Sequence, residues 1–336
     1  MTQPPVTIPI ALVHGILSGV TRRNIDCAPF LNDAGIAQEL LEEPAARVTA
    51  SQYIALFRSL IDRLDDECLG LLSRPLKRGC FALTARSAMG APNLTVAIRR
   101  IAHTFRLLQD DAVLEAVQEG NLAGVALRFL DPNMPRPIFA HELLLRVYWR
   151  LLAWLAGGRL PAERFDFAFD RPLHVDCYDR VFPAPLRFGQ PFSAIWFDSR
   201  RLKDPVRRDE AALRTFLAES HSHVILPPRG RDSTSARVRL HLQQTKPTWP
   251  DLAATSAALH MSVSTLQRHL AAEGTSFQTL KDELRRDIAI VRLNTSQVPL
   301  AALASELGFS DSAAFQRAFK GWTGSPPGAY RRGSDL

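Results

Sequence analysis

Two Gln-Arg doublets, Gln267-Arg268 and Gln316-Arg317, stand out among the polar residues of this 336-residue chain. Each follows small hydroxylated residues by about one helical turn: Ser264 and Thr265 in the first case, Ser312 in the second. A guanidinium can donate two hydrogen bonds to guanine O6 and N7, and a carboxamide can bond adenine N6 and N7. Hydroxyls bond base edges or phosphates. The chemistry on offer is hydrogen-bonded readout of a DNA major groove rather than bond making. The second set is the poorer reader, because Ala313 offers only a methyl contact where a polar side chain would serve.

The elements that must position these side chains are legible around them. In Pro299–Arg331, Leu300, Leu303, Ala304 and Leu307 recur at helical spacing, and Gly308 then stops the helix. Ser310 or Asp311 can cap a second helix whose apolar side is Phe315, Ala318 and Phe319. Two short helices joined by a tight glycine turn form the helix-turn-helix pattern. The pattern recurs upstream in Leu252–Leu270. Leu252 and Leu259 lie 48 residues before Leu300 and Leu307, and a one-residue slip then aligns Leu266 with Phe315 and each Gln-Arg with the other. Between the copies, Phe277–Ser296 contains neither Gly nor Pro and reads as one helix. Its length of roughly 30 Å approaches one turn of B-DNA, about 34 Å, so it can set two reading helices in successive major-groove openings. Arg285, Arg286 and Arg292 on it are candidate phosphate contacts. Trp322, Pro326, Pro327 and Tyr330 are expected in the core and caps.

The two copies, the intervening helix and the ending resemble the DNA-binding domain of the AraC/XylS family of bacterial transcription regulators. The resemblance rests on Gly308-Phe309, Phe315-Gln316-Arg317-Ala318-Phe319, Gly324-Ser325-Pro326-Pro327 and Tyr330-Arg331. It implies that Ser264, Thr265, Gln267, Arg268, Ser312, Gln316 and Arg317 contact double-stranded promoter DNA. Farther upstream, the passages beginning Leu31-Asn32-Asp33 and Asp65-Asp66-Glu67 resemble the arabinose-binding-like effector domain of one subgroup of that family.

Charge supports the division. From Arg229 onward there are 14 Lys/Arg against 9 Asp/Glu, a surplus of 5. The first 228 residues hold 27 against 25. A basic surplus next to the repeats suits phosphate contacts. The chain is long enough for two domains, expected at 1–226 and 236–336 with a linker at 227–235, where Pro227, Pro228 and Gly230 sit among charged residues. Helices are expected at Pro9–Arg23, Ala28–Leu41, Thr49–Leu64, Asn93–Leu108, Ile138–Ala156, Val206–Glu219 and Ala236–Gln244. Strands are expected at Ala112–Gln118, Leu122–Leu130, Phe165–Phe169 and Pro191–Phe197, and Asp65–Arg78 reads as a loop. The fold class is therefore an α+β N-terminal domain, with helices flanking a small antiparallel sheet, followed by an all-α DNA-binding domain.

Other chemistry is poorly represented. Cys27, Cys68, Cys80 and Cys177 form no CxxC and read as reduced thiols. His221 and His223 would share one face of a strand but have no obvious third ligand. No phosphate-binding glycine loop, G-x-S-x-G or HExxH occurs. The expectation is a cytoplasmic regulator, not an enzyme, without cofactor or metal. It would bind promoter DNA and a small-molecule effector, form a homodimer, stay off membranes, and meet RNA polymerase if it activates. The alternatives are a constitutive regulator whose first domain only dimerises, and a metabolite enzyme fused to a DNA-binding tail. The effector-binding residues are unknown at this stage.

Overall fold

The computed structural model of the chain describes residues 4–131, 136–225 and 233–331. In chain order the elements are β1 (Thr7–Pro9), α1 (Ile10–Thr21), α2 (Ala28–Ala34), β2 (Arg47–Thr49), α3 (Ala50–Leu64), α4 (Cys80–Ala88) and α5 (Leu94–Leu108). They continue with β3 (Ala112–Glu119), β4 (Leu122–Phe129), α6 (Ile138–Leu155), β5 (Arg164–Asp166), β6 (Leu186–Arg187), β7 (Ser193–Asp198) and α7 (Glu210–Ile225). The remainder is helical: α8 (Thr234–Gln244), α9 (Leu252–Ala258), α10 (Val263–Ala272), α11 (Phe277–Thr295), α12 (Leu300–Glu306) and α13 (Ser312–Thr323). These fall into two compact units. One comprises Met1–Val13, Leu31–Tyr53 and Pro228–Leu336, the other His14–Phe30 and Ile54–Pro227. The expected linker lies outside the described residues up to position 232.

In the sheet-containing unit the strand order is β3-β4-β7-β5-β6. The β3–β4 hairpin turns through Gly120-Asn121, with Gly120 at φ +58°, the left-handed conformation that a two-residue hairpin turn demands. On β4, Gly124 pairs with Trp196 of β7. A side chain there would stand 2.6 Å from the Ile195 carbonyl oxygen, so the close strand approach requires glycine. Helices α5 and α6 and the sheet bury Phe105, Phe165, Phe167, Tyr178 and Phe197, each essentially without exposure. Asn93 caps α5 by accepting a bond from the Val96 amide at 3.1 Å.

Several expectations need correcting. The sheet has a fifth strand, β6, which runs parallel to β5, so the sheet is not wholly antiparallel. The second helix ends at Ala34 instead of Leu41, because Gly35 takes φ +62° and terminates it. A short 3-10 turn, Gln38–Glu42, follows. Helix α4 and the strands β1 and β2 were not anticipated. His221 and His223 fall in the helix α7 rather than in a strand. Asp66 in the expected loop is buried, and its carboxylate accepts from the amides of Cys68, Gly70 and Leu76 at 2.8–2.9 Å, shaping the chain after α3.

The helical unit contains more than the last hundred residues. β1 and β2 pair antiparallel, with Thr7 opposite Thr49, and are fastened to α11. Thr7 Oγ1 donates to Asp287 Oδ1 at 2.5 Å. Arg47 Nε donates to Thr7 Oγ1 at 2.7 Å, and the Arg47 amide donates to the Tyr330 hydroxyl at 3.2 Å. Gln52 Nε2 reaches Asn294 Oδ1 at 2.8 Å. Thr49 and Gln52 also form a reciprocal cap at the start of α3, amide to side chain in both directions at 2.9 and 3.1 Å.

Candidate nucleic-acid interface

Helices α9 and α10 form one helix-turn-helix and α12 and α13 the other, with α11 between them. Each reading helix is set by its cap and its apolar stripe. Ser262 caps α10 through the Thr265 amide at 3.1 Å, and Asp311 caps α13 through the Ala314 amide at 2.7 Å. Hydrogen bonds to Ala314 and Ser310 hold the Asp311 carboxyl below the usual range. Leu266 and Leu270 of α10 and Phe315 and Phe319 of α13 are buried, with exposure of 1% or less. The 3.6-residue period then forces Ser264, Gln267 and Arg268 to the outside of α10, and Gln316 and Arg317 to the outside of α13, all of them exposed.

The two faces differ in detail. Thr265 is half-buried, and its hydroxyl pairs with Ser262 at 2.8 Å. Ser262 also meets Ser264 at 3.0 Å, so the first turn of α10 carries a chain of three hydroxyls. Ser312 is half-buried and accepts from Gln316 Nε2 at 3.1 Å. Among the described residues neither Arg268 nor Arg317 has a hydrogen-bond or ion-pair partner. Two exposed cations with free donors, each beside a carboxamide, are therefore presented on α10 and α13. His269 and Lys320 are also exposed on these helices. Sequence reasoning missed them, although their spacing places them on the same outward arcs.

Helix α11 spans 19 residues, about 28 Å at 1.5 Å per residue. Its arginines are each engaged by other side chains of the chain. Arg285 is sandwiched between Trp249 and Phe309, 4.9 and 5.1 Å from the two ring centroids. Burial pushes its pKa down. Arg286 pairs with Asp287 at 3.2 Å with its side chain 15% exposed. Arg292 pairs with Glu306 at 3.2 Å. Arg285 and Arg292 tie α11 to its neighbours. Trp249 completes the joint by donating from Nε1 to the Glu306 carbonyl at 2.9 Å. Tyr330 and Pro327 are buried as expected, whereas Pro326 is exposed.

The turns of the two repeats solve one geometric problem with different residues. After α12 the chain turns at Gly308, φ +74°; after α9 it turns at His260, φ +57°. A Cβ at Gly308 would stand 2.8 Å from Trp249 Cδ1. Gly308→Ala should therefore cost about 2 kcal/mol through left-handed strain and crowding. His260→Gly should instead stabilise the protein by up to about 1 kcal/mol. Urea unfolding of the two variants checks both signs; equal effects at the two turns would contradict the comparison.

Two tandem helix-turn-helix motifs in one unit, together with a separate α+β unit, define a DNA-binding transcription regulator of two-part construction. The family model described as the arabinose-binding domain of AraC transcription regulator, N-term, matches residues 25–206, and a helix-turn-helix domain model matches residues 255–333. The chain belongs to the AraC family of transcription regulators. It is 28% identical over 325 residues to the ornithine utilization regulator of Pseudomonas aeruginosa, covering 96% of each chain. It is 34% identical over 200 residues to the HTH-type transcriptional regulator VqsM of the same species, covering 57% of this chain and 60% of that one. The crystal structure of the regulator CdpR from Pseudomonas aeruginosa aligns over 96% of this chain and 98% of its own at 20% identity, with a TM-score of 0.33. No described helix is long and apolar enough to cross a membrane.

Proposed function

We propose that the chain reads a bipartite promoter site through the outward faces of α10 and α13, and that its α+β unit answers a small-molecule effector. The observation that carries this reading is the pair of unpartnered guanidiniums, Arg268 and Arg317, each beside an exposed Gln on a helix whose opposite side is locked into the core. Ser264, Thr265, Gln267, Arg268, Ser312, Gln316 and Arg317 are the contact residues. Thr265 and Ser312, being half-buried, serve mainly to orient Ser262 and Gln316. The α+β unit supplies the dimer contact, since each chain already carries two readers; a monomer of the full chain in sedimentation at micromolar concentration would count against this. The protein acts in the cytoplasm, is not an enzyme, and contacts RNA polymerase where it activates.

Arg268 and Arg317 should behave differently. Arg268 shares its face with Gln267 and Ser264, so Arg268→Ala should cost about 1–3 kcal/mol of operator affinity and relax preference at one base pair. Arg317 has Ala313 one turn before it. Arg317→Ala should weaken binding to all sequences about equally and flatten the salt slope by about one unit. Fluorescence anisotropy on an operator selected from random duplexes, with single-base variants at several salt concentrations, checks both. A sequence-independent loss for Arg268→Ala, or a base-specific one for Arg317→Ala, would reverse the assignment.

A further inference from the structure

The α+β unit carries an apolar cavity of about 260 Å³, partly open to solvent, among α3, the loop after it, α4, α5, α6 and α7. Its walls are aromatic and aliphatic side chains such as Phe57, Phe105, Leu144 and Leu217. The volume lies between the roughly 150 Å³ that holds benzene in an engineered apolar cavity and the ~300 Å³ at which drug-sized pockets begin.

Most polar groups lining the cavity are already committed. The two carboxylate oxygens of Glu67 accept from the amides of Gly79 and Phe81, both at 2.7 Å. Together they cap the first turn of α4 in place of a local cap residue. Thr84 Oγ1 donates to the Cys80 carbonyl at 2.8 Å. Burial raises the pKa of the Cys68 and Cys80 thiols, which stay neutral.

Tyr148 is the exception. It is 5% exposed, its ring is held edge-on to Phe105 with centroids 5.5 Å apart, and it lines the cavity. Among the described residues its hydroxyl has no hydrogen-bond partner. The hydroxyl faces space that a water or a ligand atom can reach, and a phenylalanine would fill the same wall without offering a bond there. The hydroxyl gains its partner when something polar enters the cavity. Charge restricts what that is. No described residue lining the cavity is Lys or Arg, while Glu67 is acidic, so a carboxylate ligand would place a second anion beside it without a counter-charge.

We infer that this cavity is the effector site, and that it takes a neutral, largely apolar ring compound of about ten heavy atoms, with a single hydrogen-bonding group that meets the Tyr148 hydroxyl. The inference rests on the reading of the α+β unit as an effector domain. It also separates Tyr148, which would touch the ligand, from Glu67, which holds α4 in place and excludes anions.

The test uses the full chain and three probes on one ring system, 2-naphthol, naphthalene and 2-naphthoate, titrated by calorimetry. 2-Naphthol should bind at least ten-fold more tightly than 2-naphthoate. Tyr148→Phe keeps the ring against Phe105 and should fold at least as well as the parent. It should weaken 2-naphthol about ten-fold while leaving naphthalene unchanged. Preference for 2-naphthoate, or a Tyr148→Phe variant that keeps the full affinity for 2-naphthol, overturns the assignment. Absence of binding by all three probes leaves the cavity to water at Tyr148 and overturns it as well. Operator affinity measured on the same preparations keeps the two readings apart. Lost probe binding with intact DNA binding refutes only the cavity, whereas lost DNA binding by the parent refutes the regulator reading itself.

Discussion

Replacing Asp287 by Ala should lower stability by about 3 kcal/mol, far more than an ordinary helix-surface substitution. Asp287 sits on α11 with no exposure, and one carboxylate oxygen gathers three donors: Thr7 Oγ1 at 2.5 Å, Arg286 Nη2 at 3.2 Å and Arg286 Nε at 3.3 Å. Removing it leaves the guanidinium of Arg286, only 15% exposed, without its counter-charge. Breaking a buried pair from one side costs about 3–5 kcal/mol. Arg286 retains some contact with water, which places the expected value at the lower end. Thr7→Val takes away the donor to Asp287 and the acceptor of Arg47 Nε, and should cost about 2 kcal/mol. Urea unfolding of the full chain measures both. Hydrogen exchange adds a local readout: the amides of β1 and β2 should lose protection in either variant, because Thr7 links the strand pair to α11. An Asp287→Ala cost below about 1 kcal/mol would show that the strand pair is not fastened to the helix in this way.

Acid should weaken the α+β unit through His141. The ring lies on α6, 8% exposed, with Nδ1 2.8 Å from the Ser193 hydroxyl. Phe129 and Phe169 stand edge-on at 4.6 and 5.4 Å. Burial in this apolar setting lowers its pKa from 6.5 to about 4. The unfolded chain therefore takes up a proton near pH 6.5 that the folded chain refuses until about pH 4. Stability is fully present above pH 6.5 and is lost as the pH falls, by about 2 kcal/mol at pH 5 and roughly 3 kcal/mol below pH 4. His141→Gln keeps a partner for Ser193 and cannot titrate. The stability difference between parent and variant should change by about 2 kcal/mol between pH 7.5 and pH 5. A difference independent of pH would mean that the ring is protonated in the folded state.

Ser193 and His141 form a Ser–His hydrogen bond of the kind that activates nucleophiles. Ser193 is fully buried and also accepts from the Ala168 amide at 2.9 Å, so its oxygen is committed to holding β7 beside the chain that follows β5.

What could be read from the sequence follows from how local each determinant is. The reading helices were legible because cap, apolar stripe and turn lie within about twenty residues and occur twice. Leu266 and Phe315 then fix which side of each helix faces out. Helix α4 was illegible because its first turn is capped by Glu67, thirteen positions before Cys80. β1, β2 and β6 are two or three residues long, too short to show a period of two. The stacking of Arg285 was illegible for a similar reason. Arg285 looks solvated in one dimension, yet Trp249 and Phe309, from either side of it in sequence, close over it. The fastening of Thr7 to Asp287 spans 280 residues, and no local pattern announces it. The Tyr148 cavity is equally nonlocal, since five helices and a loop must converge before its unpartnered hydroxyl can be recognised.

The most direct test of DNA reading by α10 and α13 is hydroxyl-radical and methylation footprinting of the full chain on its selected operator. With α11 about 28 Å long, protection should fall in two major-groove segments per chain on one face of the duplex, centred about one helical turn, roughly 10 base pairs, apart. Arg268→Ala should erase guanine protection in one segment alone. A single protected segment per chain, or two segments that both survive in an Arg268→Ala/Arg317→Ala double variant, would contradict it.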